Sequence, residues 1–156
     1  MAMAQQLKEY LESESVKFES SEHAAVFTAQ EVAGTEHVPG KQMVKSVIVK
    51  ADGDFIMCVL PAIHLIDFEK LKNLIKCEDL SLASEEEIGK LFPDYDVGAE
   101  PPFGHLYGIP VYCDKILEED EDICFNAGTH TDVVKLRFQD YKKLEKPIIE
   151  DIGTHI

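Results

Sequence analysis

Residues 43–60 read Met43-Val44-Lys45-Ser46-Val47-Ile48-Val49-Lys50-Ala51-Asp52-Gly53-Asp54-Phe55-Ile56-Met57-Cys58-Val59-Leu60. Branched and aromatic side chains crowd both halves, as expected of strands half buried on a pleated surface. Ala51-Asp52-Gly53-Asp54 between them is turn chemistry, because Asp-Gly accepts the positive φ that a tight hairpin demands. The stretch predicts antiparallel strands over 43–50 and 55–60. Lys45 breaks the apolar pattern, and alternation puts it on the side of Val47 and Val49. Two readings stand for it. One is a strand-edge lysine that snorkels outward or pairs with an acid. The other is a cation held in a cleft for a phosphate or a carbonyl oxygen.

On either side of this hairpin the pattern alternates between helix and strand. Residues 4–13 predict a helix with Leu7, Tyr10 and Leu11 on one face, and Val16 to Glu19 a short strand. Thr28-Ala29-Gln30-Glu31 is a capping box that opens a second helix, closed by Val38-Pro39-Gly40. Asp67 starts a helix carrying Phe68, Leu71, Leu74 and Ile75. Ser84-Glu85-Glu86-Glu87 starts another, its acids placed well for the helix dipole. Ile109–Tyr112, Asp122–Asn126 and Thr131–Leu136 read as strands, and 138–144 as a closing helix. Interleaved helices and hairpins point to one α+β domain over 1–156 with a mixed sheet. No GxGxxG follows the first strand, which argues against a dinucleotide-binding fold.

The chain has 156 residues, 45% of them hydrophobic, enough for one real core. No apolar run is long enough to cross a bilayer, and the N-terminus lacks a signal-peptide pattern. Cys58, Cys77, Cys113 and Cys124 form no CxxC pair, so buried free thiols are expected rather than a zinc site or disulfides. These features together predict a cytoplasmic protein. Thirty acidic against 15 basic residues give a formal charge of −15. That argues against broad binding to nucleic-acid backbones, though not against a small site for a nucleic-acid end. The run Glu118-Glu119-Asp120-Glu121-Asp122 reads as a solvated turn, with partner binding as its alternative. No HExxH or similar histidine spacing occurs, so no metal is expected.

Two further segments are candidates for chemistry. In Val97-Gly98-Ala99-Glu100-Pro101-Pro102-Phe103-Gly104, two glycines bracket two prolines. Each Pro fixes its own φ and restricts the preceding residue, which gives a stiff loop able to bring backbone N–H groups near a ligand. In Phe125-Asn126-Ala127-Gly128-Thr129-His130, a strand ends in turn residues and then offers a Thr and a His. An ordinary hairpin turn explains it, and a functional loop is the alternative. His130 qualifies as a general base on its ordinary pKa. His23, His37, His64 and His105 read as surface or packing residues.

The order of these pieces resembles a known family. A Thr28-Ala29-Gln30-Glu31 helix start, a strand with Lys45 followed by Ser46, a GxxxP loop from Gly98 to Pro102 and a strand ending in a Gly128 turn resemble the YbaK and prolyl-tRNA-synthetase-associated editing domain. The resemblance runs from about His23 to Tyr141, and the Gly-Ala-x-Pro-Pro-Phe and Phe-Asn-Ala-Gly segments are most similar to the freestanding YeaK-like branch. It implies a mostly antiparallel mixed sheet with flanking helices. It also implies an aminoacyl-tRNA deacylase acting in trans, which hydrolyses the ester between a wrong amino acid and the terminal adenosine. Such an enzyme needs no cofactor. Its partner is the tRNA acceptor end, with no membrane involved; delivery by an aminoacyl-tRNA synthetase is the alternative to a lysine landing strip on so acidic a chain. Lys45 matches the family's essential lysine at the substrate's 3′ end, and Gly98 and Pro102 match the ends of the catalytic loop. Ala99, Glu100, Pro101 and Phe103 fall on the substrate-binding loop, and Asn126, Gly128 and His130 on the pocket-wall turn.

On that reading the N–H groups of Gly98, Ala99, Glu100 or Phe103 are the candidate oxyanion donors, since Pro101 and Pro102 have none. The ribose hydroxyl assists the water. Glu100 departs from the small or polar residue common in the family. Lys41, Lys70, Lys72 and Lys76 are the candidate landing strip for tRNA. The alternative function is a noncatalytic binding module for an aminoacyl-type ligand or a protein partner.

Overall fold

The computed structural model describes residues 5–22 and 43–155. In chain order its elements are α1 (Gln5–Ser13), β1 (Phe18–Glu22), β2 (Val44–Ala51), β3 (Asp54–Pro61), β4 (His64–Ile66), α2 (Phe68–Ile75), β5 (Leu80–Leu82), α3 (Glu85–Leu91), β6 (Val111–Asp114), β7 (Asp122–Asn126), β8 (Asp132–Arg137), α4 (Phe138–Glu145), β9 (Ile148–Glu150) and β10 (Gly153–His155). Single 3-10 turns cover Gly104–Tyr107 and Lys115–Glu119. The chain is an α+β fold with mixed, mostly antiparallel sheets and flanking helices.

The 43–60 hairpin is the centre of the larger sheet. β2 and β3 pair antiparallel from Val44 opposite Pro61 to Ala51 opposite Asp54. Asp52 and Gly53 carry the positive φ of the turn, 47° and 89°, and the Asp52 carboxylate accepts from the N–H groups of Glu78 and Asp79. β5 adds to β2, while β6 and then β9 add in parallel to β3, giving the order β5-β2-β3-β6-β9. A second, antiparallel sheet runs β1-β8-β7. A parallel bridge between Met43 and Cys124 joins the start of β2 to β7. β4 and β10 form a separate ribbon.

Each face of β2–β3 carries its own core, because alternate residues leave the sheet on opposite sides. Val44, Ile48, Met57 and Val59 join the main core with Leu7, Leu11, Phe92, Phe103, Phe125, Phe138 and Tyr141. Val49, Ile56 and Cys58 face the other way, with Leu71 of α2, Ile152 and, half buried, Val47. Lys45 belongs to this second face by register, as the alternation predicts. Helix starts also follow the sequence. Asp67 caps α2 by accepting from Lys70 N–H, and Ser84 and Glu87 form a reciprocal capping box on α3.

Several expectations shift. The strand expected at 16–19 begins at Phe18. The strand expected at 109–112 covers Val111–Asp114, because Gly108 and Pro110 keep the preceding residues in a turn, although the Pro110 carbonyl already accepts from Met57 N–H. β4, β5, β9 and β10 hold three residues each, too few to show a period. The helix expected from Thr28 and its end at Val38-Pro39-Gly40 lie outside the described residues, as do His23, His37 and Lys41.

All four cysteines are free and buried, and burial pushes the Cys58 and Cys113 thiols up to about 12, which makes them inert packing residues. The acidic run is divided between the 3-10 turn and the start of β7, with Glu118 paired to Lys142 and Asp122 to Lys135. No helix among the described residues is long and apolar enough to cross a membrane.

Candidate functional site

The β7–β8 hairpin ends in a turn tied by its own hydroxyls. Thr129 Oγ1 donates to the buried Asp132 carboxylate at 2.5 Å and accepts from the Asp132 N–H at 3.1 Å. Ala127 N–H donates to the Asp132 carbonyl. Gly128 sits at φ 95°, a conformation that side chains rarely adopt. The ordinary explanation of this segment as a hairpin turn therefore holds for its backbone.

The same turn is also bonded to the Gly-Pro loop, 30 residues earlier in the chain. Asp96 N–H donates to the Gly128 carbonyl at 2.8 Å, and Gly128 N–H donates to the Ala99 carbonyl at 2.9 Å. His130 Nε2 donates to the Val97 carbonyl at 2.9 Å. A carbonyl can only accept, so that nitrogen carries the proton and the ring braces the loop. Gly98, at φ 90°, lies against the ring; a Cβ there would meet His130 Cε1 at 3.4 Å in addition to the strain of its φ. The two segments singled out separately in the sequence form one structural unit. Asp96, Val97, Thr129 and Asp132 complete it. Thr129-x-x-Asp132 carried a readable hydroxyl-turn signal, whereas the backbone groups of 96 and 97 carried none.

Lys45 approaches from β2. The Met43–Cys124 bridge sets β2 and β7 parallel at this point, so Lys45 and Asn126 each lie two residues beyond it, on the same face. Lys45 is half buried, and loss of hydration lowers its pKa. No ion pair or hydrogen bond of its amine occurs among the described residues. Asn126 is 7% exposed, and its Oδ1 is buried without a hydrogen-bond donor. A cation short of an anion thus shares a face with an acceptor short of a donor. Both are conditions that a polar ligand would relieve.

The loop itself is inward-looking. Ala99, Glu100, Pro101, Pro102 and Phe103 are buried, and Gly98 is exposed. The Phe103 ring is in the main core, edge-on to Tyr10, Phe125 and Tyr141. Three of the four candidate oxyanion donors have internal acceptors here. Gly98 N–H donates to Glu100 Oε2 at 2.6 Å, Ala99 N–H to the Asp96 carbonyl, and Phe103 N–H to the Pro101 carbonyl. The Ala99 and Glu100 amides also favour the charged form of the Glu100 carboxylate. Burial pushes Glu100 up to about 7, against the pull of these three amides. Among the described residues no group of three His, Cys, Asp or Glu side chains could hold a metal ion.

Residues 23–144 match the aminoacyl-tRNA editing domain. The chain belongs to that family. Its curated relatives include proline–tRNA ligases: the enzyme of Staphylococcus haemolyticus is 35% identical over 124 residues, covering 76% of this chain and 21% of that protein. The enzyme of Staphylococcus saprophyticus is 33% identical over 106 residues, covering 66% and 18%. The chain therefore spans about a fifth of the length of these relatives. Among solved structures, the hypothetical protein APE2540 superposes with a TM-score of 0.87 at 19% identity, covering 96% of this chain and 100% of that one. A protein described as a candidate trans-editing enzyme for prolyl-tRNA synthetase gives 0.83 at 22%, covering 96% of each chain. At that identity the likeness is one of fold. In this editing domain, the 23–144 match takes in Lys45, the Gly98–Pro102 loop and the Asn126–His130 turn together.

Proposed function

We propose that this editing domain is a deacylase that hydrolyses the ester between a mischarged amino acid and the terminal adenosine of tRNA, acting in trans. The observation that carries the reading is the pairing of an unpartnered, half-buried Lys45 with a loop and turn locked together beside the same strand end. An aminoacyl ester is already activated, so positioning and charge stabilisation suffice. In the proposed step, water oxygen bonds to the ester carbonyl carbon, the carbon–ribose oxygen bond breaks, and the ribose oxygen takes the proton. The products are free amino acid and uncharged tRNA. Lys45 neutralises the terminal phosphate or the carbonyl oxygen. The ribose hydroxyl next to the ester guides the water, so no side chain is the obligate base. His130, with Nε2 bound to the Val97 carbonyl, acts as a brace rather than as that base.

Gly98 and Pro102 bound the loop that walls the amino-acid pocket, with Ala99 and Pro101 between them, and Asn126 and Gly128 form the facing turn. Phe103 contributes from behind as a core anchor. The tRNA acceptor end is the substrate, and a synthetase is the partner that would deliver it. A deacylation panel of Ser-, Thr- and Ala-charged tRNAs tests the reading. Wild type turns over at least one of them, and Lys45→Ala loses about 100-fold or more in kcat/KM. Full activity in Lys45→Ala sinks the role of the lysine. Saturable binding of an aminoacyl-adenosine analogue without turnover of any charged tRNA would instead favour a noncatalytic binding module.

A further inference from the structure

Glu100 is an acid 4% exposed at the centre of the loop, and no ion pair holds it among the described residues. Its carboxylate lies under the loop rather than in front of it. The Gly98 N–H donates to it at 2.6 Å, and the neighbouring amides of Ala99 and Glu100 favour its charged form. Such a concavity of backbone amides is an anion site, and here the anion is the chain's own side chain. Gly98 holds a positive φ of 90° at the start of this loop. The outer edge of the loop is fixed by the bonds that Asp96, Val97 and Ala99 share with the 128–130 turn. The loop is thus gripped from two sides, by the turn outside and by Glu100 inside.

We propose that Glu100 is a positioning residue, an internal anion that sets the curvature of the Gly98–Pro102 loop and so the shape of the amino-acid pocket. This rests on the deacylase reading only for its effect on turnover. The grip on the loop is a property of the free protein. Its strength follows ionisation. A carboxylate is the stronger acceptor for the Gly98 N–H, whereas the protonated acid offers fewer acceptor sites. With burial holding the group near 7, the loop tightens as pH rises through neutrality and slackens below it. The other ionisable side chains on these segments are Asp94 and Asp96 on the loop and His130 and Asp132 on the turn, and none of them contributes to the shift of Glu100.

Amide NMR on the free protein provides the test. In wild type, the Gly98, Ala99 and Glu100 amide signals move together with one midpoint near 7. In Glu100→Gln that common titration is gone, and in Glu100→Ala the Gly98 amide also loses protection from hydrogen exchange. Signals that still titrate together in Glu100→Gln overturn the proposal, as does unchanged exchange of the Gly98 amide in Glu100→Ala. Turnover supplies the second arm. Glu100→Ala lowers kcat/KM by up to about 100-fold, the cost of a misplaced wall, and Glu100→Gln, which keeps an acceptor oxygen, recovers much of that loss. Equal losses in both variants, with folding intact by melting temperature, overturn the positioning role. Loss of the amide titration in Glu100→Gln with no turnover by wild type would support the loop grip and reject only the deacylase reading.

Discussion

Lys45 and Asn126 share a condition that residues serving only the fold seldom show. The Asn126 Oδ1 is withdrawn from water without a partner among the described residues, which costs about 1–3 kcal/mol, and the half-buried Lys45 amine has no ion pair or hydrogen bond among them. Removing either with a side chain of similar shape should then do the fold no harm. Lys45→Met and Asn126→Leu are expected to melt at or above the wild-type temperature while deacylation drops by about 100-fold or more. The lysine has a pH signature as well. Burial lowers its pKa, so it is the protonated form that the fold disfavours. Any stability gained in Lys45→Met therefore belongs to neutral pH, and it vanishes as pH climbs past the ordinary lysine value of 10.5. Thermal melts at neutral and alkaline pH, run beside kinetics, check both statements. Melting several degrees lower in both variants would make the two residues structural.

At the scale of elements, α3 is the lever that leads into the loop. It has no fully buried residue, and its half-buried Ile88 and Leu91 rest on the core just before Phe92 and Tyr95 enter it. Its start depends on the Ser84–Glu87 capping box. Ser84→Ala should cost about 1 kcal/mol and lower the melting temperature by about 2–4 °C, with kcat/KM unchanged because the loop is held independently by the 128–130 turn. A differential scanning measurement with an activity assay decides this; a large fall in activity would mean that α3 positions the loop. The sequence signalled α3 clearly, as it did α2 and the β2–β3 hairpin, because caps, turn dipeptides and alternation are local features. Three-residue strands such as β5 and β9 are specified by the neighbours they pair with, so no window of sequence reveals them. The site divides in the same way. Lys45 stood out as a charge in an apolar strand, and Gly98 and Gly128 as punctuation. The bonds joining loop to turn, and the direction of Glu100 beneath its own amides, are tertiary facts that no spacing encodes.

The whole molecule must admit a polyanion while carrying a formal charge of −15. Some of its cations are committed. Lys70 holds Asp151 and the Gly153 carbonyl, Lys50 holds Glu87, and Lys142 holds Glu118, so Lys70 makes a poor landing site for RNA. The chain's single arginine, Arg137, lines a cleft with Lys17 and Lys143, but Glu14 and Asp140 line it too. Affinity for tRNA should then come from the terminal nucleotide and few phosphates. Each phosphate neutralised contributes about −0.7 to the slope of log affinity against log salt for a single strand. With Lys45 as the site's cation, the slope should lie between about −0.7 and −1.4, a loss of less than about tenfold between 50 and 200 mM salt. Titration of a non-hydrolysable aminoacyl-tRNA analogue across that range measures it, and a minihelix carrying only the acceptor arm should give the same slope. A slope steeper than about −4 would require about six phosphate contacts. It would place the recognition of tRNA on a basic surface outside the loop, the turn and Lys45.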